Sequence, residues 1–323
     1  MPTVRRFEFE LYRLNVADGQ ADLFEQDRPS LRGDDAAIVG VLKASASPDY
    51  SYETRSSRAL FRWDVRNFVN YTEDAEPGAQ VVGLTLARST MEEQSDVVTD
   101  RGIEPGTSQS VPPRADHIDL IFHMERHLVA VERYTLLTQS GGWRTALHDI
   151  MEQASRQAGY RGRIELEPVP REEEIMTAFR SFERLTRLRV WLGLPNPELS
   201  RYAQSLYNDM EEGDVREYLT DMRNSKGLNK AEGKLPHAAA EVAQAGYKKG
   251  TVKLEGIRNG RTDKAETGGK AARGTPAALR DYVRGMRDNA RAKETRDALG
   301  SILGEMDRIA PPPESSASKA ESS

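Results

Sequence analysis

Cysteine is absent from the 323-residue chain. Its absence excludes disulfide bonds, thiolate catalysis and every zinc site with cysteine ligands, and it fits a reducing compartment. Long apolar runs are also missing, because none approaches the ~18 residues of a membrane-spanning helix. The N-terminus lacks the apolar core of ~7 to 15 residues that a signal peptide needs. We therefore expect a cytoplasmic protein with no membrane partner.

Complete catalytic and cofactor motifs are missing as well. The nucleophile elbow G-x-S-x-G, the dinucleotide-binding fingerprint, the P-loop and the kinase motifs do not occur. We therefore predict no cofactor, and the sequence alone leaves open whether the protein is an enzyme.

The first half of the chain has the alternation that is typical of strands with one buried face. Apolar Phe7, Phe9 and Leu11 alternate with polar residues. Further strands are predicted at residues 60–69, 81–86, 118–122, 128–137 and 163–167, and helices at 36–42 and between Ser140-Gly141-Gly142 and Gly159. Residues 95–114, which are rich in glycine and proline, are predicted to form a mobile loop.

Pro168-Val169-Pro170 marks the predicted domain boundary, because two prolines in three residues interrupt both helices and strands. Beyond it we predict a helix at 175–182, a strand at 188–192, acidic helices at 200–223 and a helix from Pro236 to Gly246. The predicted fold is α+β, with two domains that are each a mostly antiparallel sheet with helices packed on it. The predicted units are residues 1–167, residues 168–309 and a disordered tail at 310–323.

The strongest local signal is a β-hairpin near the C-terminus. Asn259-Gly260 is the dipeptide that most readily supplies the positive φ angles of a type I′ turn, and it separates two strand-like stretches. A two-residue turn fixes the register of the strands, and opposite charges then face each other. The predicted pairs are Glu255 with Lys264 and Lys253 with Glu266.

Basic charge is concentrated in the segment that contains this hairpin. Residues 223–297 carry eighteen Lys and Arg against nine Asp and Glu, in a chain whose net charge is −5. The rest of the chain therefore carries −14. Clustered cations attract phosphate backbones whatever the base sequence, so this asymmetry predicts DNA or RNA as the partner.

Two features organise the basic charge. A helix that begins at Thr275-Pro276 would place four arginines along one narrow arc, at i, i+4, i+7 and i+11. The glycine-rich junction at 267–275 leads into that helix and would offer N–H groups to a phosphate. Alternatively, the arginines pair with neighbours such as Asp281 and Asp288, and the junction is a flexible connector.

The predicted nucleic-acid contacts combine that helix, the junction and the basic residues near the hairpin. The four helix residues, which we name the arginine ridge, are Arg280, Arg284, Arg287 and Arg291. The other predicted contacts are Lys248, Lys249, Arg258, Arg261, Lys270 and Arg273. Tyr247 could also stack on a base, and the alternative is that it packs under the last helix.

Histidines and acids near the middle of the chain are the candidates for catalysis. An acid–base or nuclease site could be built from Asp116, His117, Asp119 and Glu132. The alternative is that these residues face water at alternating strand positions. His123 and His127 have the spacing of a helical metal pair, but the segment is predicted to be a strand and a turn, and no third ligand is evident. We therefore predict no metal site.

Three short stretches form a further pattern. They are Phe9-Glu10-Leu11-Tyr12-Arg13-Leu14 leading to Asp22-Leu23-Phe24, Leu192-Gly193-Leu194-Pro195-Asn196-Pro197, and Ala245-Gly246-Tyr247-Lys248-Lys249-Gly250. In this layout the chain resembles uncharacterised bacterial proteins that are carried with phage-defence genes. The resemblance implies an antiviral role with nucleic acid or a phage protein as trigger or target, and it transfers no catalytic residue.

The first prediction of function is a nucleic-acid-binding protein whose basic C-terminal surface contacts the phosphate backbone. An alternative is an interaction subunit of a homo- or hetero-oligomeric defence complex. In that case the same surface would meet an acidic protein, for example the Asp209–Glu217 segment of another copy. A nuclease with its site near His117–Glu132 is the third possibility.

Overall fold

The computed structural model places the chain in the α+β class, as predicted. It describes residues 6–17, 28–72, 75, 79–109, 111–171, 173–193, 212–213, 215, 217–278, 283 and 293–312. Two antiparallel sheets, each with helices on at least one face, make up this part of the chain. None of its helices is long and apolar enough to cross a membrane.

Every pairing between the named strands of the described residues is antiparallel. In chain order the strands are β1 Phe9–Ala17, β2 Tyr52–Arg55, β3 Ala59–Asn70, β4 Val81–Thr99, β5 Gly102–Gln109, β6 Ala115–His123, β7 Leu128–Glu132, β8 Arg163–Pro168, β9 Arg184–Gly193, β10 Glu217–Arg223, β11 Val252–Arg258, β12 Arg261–Thr267 and β13 Arg273–Gly274. The first sheet has nine strands in the order β13-β1-β7-β6-β4-β3-β2, with β5 paired to β4 and β8 paired to β1. The second sheet has the order β10-β9-β11-β12.

Helices cover the sheets through their apolar faces. They are α1 Asp35–Ser45, α2 Thr135–Thr138, α3 Gly142–Gln157, α4 Glu174–Ser181, α5 Leu235–Gln244 and α6 Lys293–Ile309. α1 begins where the Asp34 carboxylate accepts a hydrogen bond of 2.8 Å from the Ala37 amide. α1 and α3 pack on one face of the first sheet, where Trp143 and Ile150 are buried in the same cluster as Leu84.

The C-terminal residues return to the first sheet. Leu299 and Ile302 of α6 are fully buried in a cluster with Phe9 and Leu11, on the face opposite to α1 and α3. β13 also pairs with β1. The chain therefore leaves the first sheet beside the predicted boundary at Pro168 and comes back to it, and the division into domains stays a prediction.

The second sheet has one covered face and one open face. Phe179 of α4 and Ala243 of α5 pack against the buried side chains of β9 and β11, such as Val190. On the other face Trp191 and Leu219 are exposed. Both α4 and α5 therefore lie on the same side of this sheet.

The predicted hairpin is confirmed in its turn and its register. β11 and β12 are joined by Asn259 (φ 53°) and Gly260 (φ 70°), which have the positive φ angles of a type I′ turn. The two predicted pairs face each other, and Lys264 Nζ lies 3.5 Å from Glu255 Oε1 while Lys253 Nζ lies 3.9 Å from Glu266 Oε2.

Two predicted elements are wrong. Most of residues 95–114 is not a loop, because β4 and β5 continue in register from the Glu92–Gln109 pair to the Thr99–Gly102 pair; we name residues 90–109 the β-arm. Pro105 fits there because β5 is an edge strand. Residues 217–223 form β10 instead of a helix, because alternate side chains reach the core of the second sheet.

The last predicted helix is described only in part. Residues 276–278 are not helical, so its predicted start at Thr275-Pro276 is wrong, whereas Val283 is helical and residues 293–297 lie in α6. Residues 279–282 and 284–292, which carry the arginine ridge, lie outside the described residues. So do residues 200–211, 214 and 216 of the predicted acidic helices and residues 313–323 of the predicted tail.

Candidate nucleic-acid interface

A cleft of about 410 Å³ lies where the Gly269–Arg273 segment meets β1 and the start of α3. Its charged lining is mostly basic. The cations are Arg133, Arg144, Arg171, Lys270 and Arg273. Among the lining residues, all of which are described, Glu10 is the only carboxylate. We name this feature the cationic cleft.

Three of the five cations are held by contacts inside the protein. Arg133 donates a hydrogen bond of 2.9 Å to Glu8, and Arg273 Nε lies 3.8 Å from Glu10 Oε1. The Arg144 guanidinium lies 5.9 Å from the centroid of the Tyr12 ring and donates to the Leu166 carbonyl at 3.5 Å. These contacts orient the side chains and partly neutralise two of them.

Arg171 and Lys270 complete the lining from the surface. Both are exposed, and neither forms an ion pair with a described carboxylate. Their ammonium and guanidinium groups therefore keep their full charge in the cleft, and these two residues are the ones that an anion would neutralise first.

The N-terminus of α3 adds a favourable dipole to the same cleft. Gly141 is the N-cap of this 16-residue helix, and no described side chain caps it. Ser140 and Gly141 both line the cleft. Uncapped N–H groups and the positive end of the helix dipole favour an anion at this position.

The structure brings together only part of the predicted basic surface. Lys270 and Arg273 lie in the cationic cleft, as part of the glycine-rich junction that the sequence identified. Arg261 is exposed beside the hairpin turn, opposite Arg258. The four residues of the arginine ridge lie outside the described residues, so their predicted role stays a prediction.

Lys248 lies inside the protein, although the sequence placed it at the nucleic-acid interface. Its side chain is 1% exposed, and its Nζ donates a hydrogen bond of 2.7 Å to the Gly250 carbonyl. Burial is the main cause that lowers its pKa to about 8, against the attraction of Glu167, whose own pKa burial raises. Lys248 therefore has no surface from which to reach an external phosphate.

The neighbours of Lys248 also have partners inside the protein. Lys249 Nζ lies 3.4 Å from Glu165 Oε2 and 5.6 Å from the centroid of the Trp191 ring. Tyr247 is buried, with the Arg13 guanidinium 4.7 Å from its ring centroid. Tyr247 is therefore buried, as the alternative expected, but it packs in the core of the second sheet and not under the last helix. Trp191 is the exposed aromatic residue in this region.

Arg258 is likewise paired. It forms a close ion pair with Asp263, in which Nε donates to Oδ2 at 2.6 Å, and its guanidinium lies 5.2 Å from the centroid of the Phe182 ring. The pairing is local to the hairpin, since both residues flank the same turn. Arg258 therefore contributes little net charge at the surface.

Arg133, Arg144 and Arg171 are cleft residues that sequence reasoning missed. They are far from Lys270 in the chain, and they come close only because β13 pairs with β1 and α3 starts beside it. One feature of the sequence could have indicated the α3 end of the cleft. Ser140-Gly141-Gly142 before a helix is the same kind of glycine junction as the one at 267–275.

The candidate catalytic residues fall on two faces of the first sheet. Asp116 accepts a hydrogen bond of 3.3 Å from the Tyr134 hydroxyl. Asp119 lies on the opposite face, where Thr85 donates to its carboxylate at 2.8 Å and its amide donates to Glu132 at 3.1 Å. His117 shares that face by strand alternation. The cavity beside Asp119 has a volume of about 10 Å³, which admits one water and no phosphodiester.

His123 and His127 do not converge. His127 lies in the turn after β6, and its Nε2 is 2.8 Å from Asp35 Oδ1 at the start of α1. His123 ends β6, on the face that carries Asp119. In the part of the chain that the structure describes, no three His, Asp or Glu side chains are arranged to hold a metal ion.

Comparison with protein families identifies one match. A family model described as Domain of unknown function (DUF4747) matches residues 90–268, which is more than half of the chain. No curated protein matches the chain. The matched range includes the β-arm, the whole second sheet and three of the cleft arginines, and it ends just before Lys270.

Proposed function

The chain belongs to the family described as Domain of unknown function (DUF4747), and we propose that it binds nucleic acid by holding the phosphate backbone in the cationic cleft. The family description assigns no activity. The proposal therefore rests on the chemistry of the cleft.

The observation that supports the proposal most is the excess of cations over carboxylates in the cleft. Five cations and one carboxylate line about 410 Å³, which is within the ~300–1,000 Å³ of ordinary ligand sites. A guanidinium group can donate two parallel hydrogen bonds to the oxygens of one phosphate, and a helix N-terminus adds further N–H donors. These groups recognise the backbone and do not read the bases, so we expect binding with little sequence preference.

The test removes the two cleft cations that have no ion pair with a described carboxylate. Arg171→Gln combined with Lys270→Gln keeps side chains of similar length and removes two positive charges. Because a hydrogen bond to a charged group is worth about 1.5–3 kcal/mol, the double variant should bind an oligonucleotide at least ~10-fold more weakly. Fluorescence anisotropy with labelled DNA and RNA of mixed sequence measures this change.

Lys43→Gln is the matched control. Lys43 is an exposed lysine in the last turn of α1 and does not line the cleft. Its replacement should leave the affinity unchanged. Equal affinities for the wild type and the double variant would refute the cleft as the binding site.

The proposal includes a role in antiviral defence, which the resemblance to phage-defence-associated proteins supports. Bound nucleic acid would then be the trigger or the target of the defence. Phage plating on bacteria that produce the wild type or the double variant tests this role. We expect protection by the wild type that the double variant lacks, and equal titres with and without the wild type would contradict it.

A second candidate function is self-association, and the charge of the β-arm supports it. Residues 90–109 contain five acidic residues and one basic residue, Arg101. At the end of the arm Val98 and Ile103 form a cross-strand pair in which both side chains are mostly exposed, at 85% and 75%. The acidic arm of one copy complements the cationic cleft of another.

Sedimentation without nucleic acid separates the two candidates. Self-association through opposite charges predicts an oligomer at low salt that dissociates at high salt. Val98→Ser combined with Ile103→Ser should weaken that oligomer and leave oligonucleotide affinity unchanged. A monomer at every salt concentration would exclude the second candidate.

A further inference from the structure

We propose that the open face of the second sheet binds single-stranded nucleic acid by stacking an unpaired base on Trp191. The inference rests on the proposed function for its class of ligand, but it places a second contact on a surface other than the cationic cleft. It also narrows the ligand from nucleic acid in general to the single-stranded form.

Trp191 differs from the other tryptophans in its exposure. It is 41% exposed, whereas Trp63 and Trp143 are buried at 4% and 1%. Its cross-strand partner Leu219 is also exposed, at 54%. The two side chains stand side by side on the open face and form an apolar platform that no described residue covers.

Cations surround this platform. Strand alternation and the register place six of them on the open face: Arg184, Arg187, Arg189, Arg223, Lys253 and Lys264. Three described carboxylates share the face: Asp221, Glu255 and Glu266. The described part of the face therefore carries three positive charges more than negative ones, which suits a polyanion better than a second copy of the same positive face.

Most of these charges form ion pairs within the protein. Arg189 is the cation near the platform that has no such pair with a described carboxylate, so it can contact a ligand. Arg187 and Arg223 both donate to Asp221, which faces Arg189 across the strands. Asp221 is thereby occupied, and Arg189 is exposed without an ion pair to a described carboxylate. Arg189 lies two residues from Trp191 on the same strand, a separation of about 7 Å.

Lys249 lies at the tryptophan itself, where its Nζ is also 3.4 Å from Glu165 Oε2. Its Nζ is 5.6 Å from the centroid of the Trp191 ring, and the Lys249 amide donates a hydrogen bond of 2.8 Å to the Trp191 carbonyl. An aromatic ring with cations close by is the arrangement that single-strand binders use, because the ring stacks on the base and the cations hold its phosphates. The bases of a duplex are already stacked on one another, so this surface selects unpaired strands.

The test measures single-strand and duplex binding with the full chain. Trp191→Leu removes the ring and keeps an apolar side chain. Loss of one stacked base should weaken binding of oligo(dT) by about tenfold, with no change for a duplex of the same length. Stacking is not ionic, so the salt dependence of binding should stay that of the wild type, whereas loss of the cleft cations makes it shallower.

Acrylamide quenching gives an independent readout, because Trp191 is the one exposed tryptophan of the three. Oligo(dT) should protect the wild-type emission from quenching. Trp191→Phe should lose this protection but retain binding close to that of the wild type, which also shows that the fold tolerates changes here.

Two results would overturn the inference. One is a Trp191→Leu variant that binds oligo(dT) like the wild type while the wild type itself binds. The other is a Trp191 already protected in the absence of nucleic acid and exposed on dilution, which would show that a second copy covers the face. Failure of the wild type to bind any nucleic acid would instead refute the proposed function itself.

Discussion

Lys248 makes the stability of the fold depend on pH, and a single substitution should remove that dependence. Its pKa falls from 10.5 to about 8 in the folded chain, chiefly because the ammonium is buried. Between these two values the unfolded chain holds more protons than the folded chain. The free energy of unfolding should therefore rise as the pH increases from 8 to 10.5.

The magnitude follows from the change in pKa. A difference of about 2.5 units corresponds to about 3 kcal/mol, and this whole penalty is present below pH 8. Lys248→Met removes the charge with little change in shape. It also loses the hydrogen bond to the Gly250 carbonyl, which is worth about 1 kcal/mol. Removal of the ammonium also removes its attraction for the buried Glu167 carboxylate, so at pH 7 the variant should be more stable than the wild type by at most about 2 kcal/mol.

Urea unfolding followed by circular dichroism at pH 7, 8, 9 and 10 tests this reasoning. The advantage of the variant should shrink as the pH rises, and Lys43→Met, at an exposed position of α1, is the control that should not show this change. The reasoning is refuted if Lys248→Met is less stable than the wild type at pH 7, or if the difference between them does not depend on pH. Because Lys248 is buried, its replacement should leave nucleic-acid affinity unchanged.

Two further predictions concern His148 and the C-terminal hairpin. His148 Nε2 accepts a hydrogen bond of 2.8 Å from the Leu166 amide, and burial is the main cause that lowers its pKa to about 3. The unfolded chain binds the proton first, so stability should fall by about 2 kcal/mol between pH 6.5 and 4.5, and His148→Gln should reduce this loss in urea unfolding. Gly260→Ala should cost about 1–2 kcal/mol through its φ of 70° alone, since nothing lies within 4 Å of the added Cβ. Gly256→Ala should cost more, because its Cβ would meet the Arg184 carbonyl oxygen, and equal unfolding free energies for the two variants would contradict this order.

Local signals predicted the elements whose structure is determined locally. The hairpin is the clearest case, because Asn259-Gly260 sets both the turn and the register of β11 and β12. The β-arm was missed because Pro105 and Gly106 look like loop residues, although an edge strand tolerates both. The sequence does not predict β10 because its acidic residues are typical of a helix surface, whereas Asp221 lies on the open face of a sheet and pairs with Arg187.

The candidate site could be predicted only in part, for a related reason. Charge counting found Lys270 and Arg273, which belong to the basic segment. It also selected Lys248, because a charge count cannot show that a lysine is buried. The other cleft arginines lie outside the basic segment and reach the cleft through pairing of β1 with β13. Such long-range pairing leaves no local pattern in the sequence.

The salt dependence of oligonucleotide binding tests the central claim most directly. For single strands the slope of log K against log salt is about −0.7 for each phosphate that is neutralised. The Arg171→Gln and Lys270→Gln double variant should therefore have a slope that is shallower than that of the wild type by about 1.4. Binding by the double variant with the same slope and affinity as the wild type would contradict the cationic cleft as the phosphate-binding site.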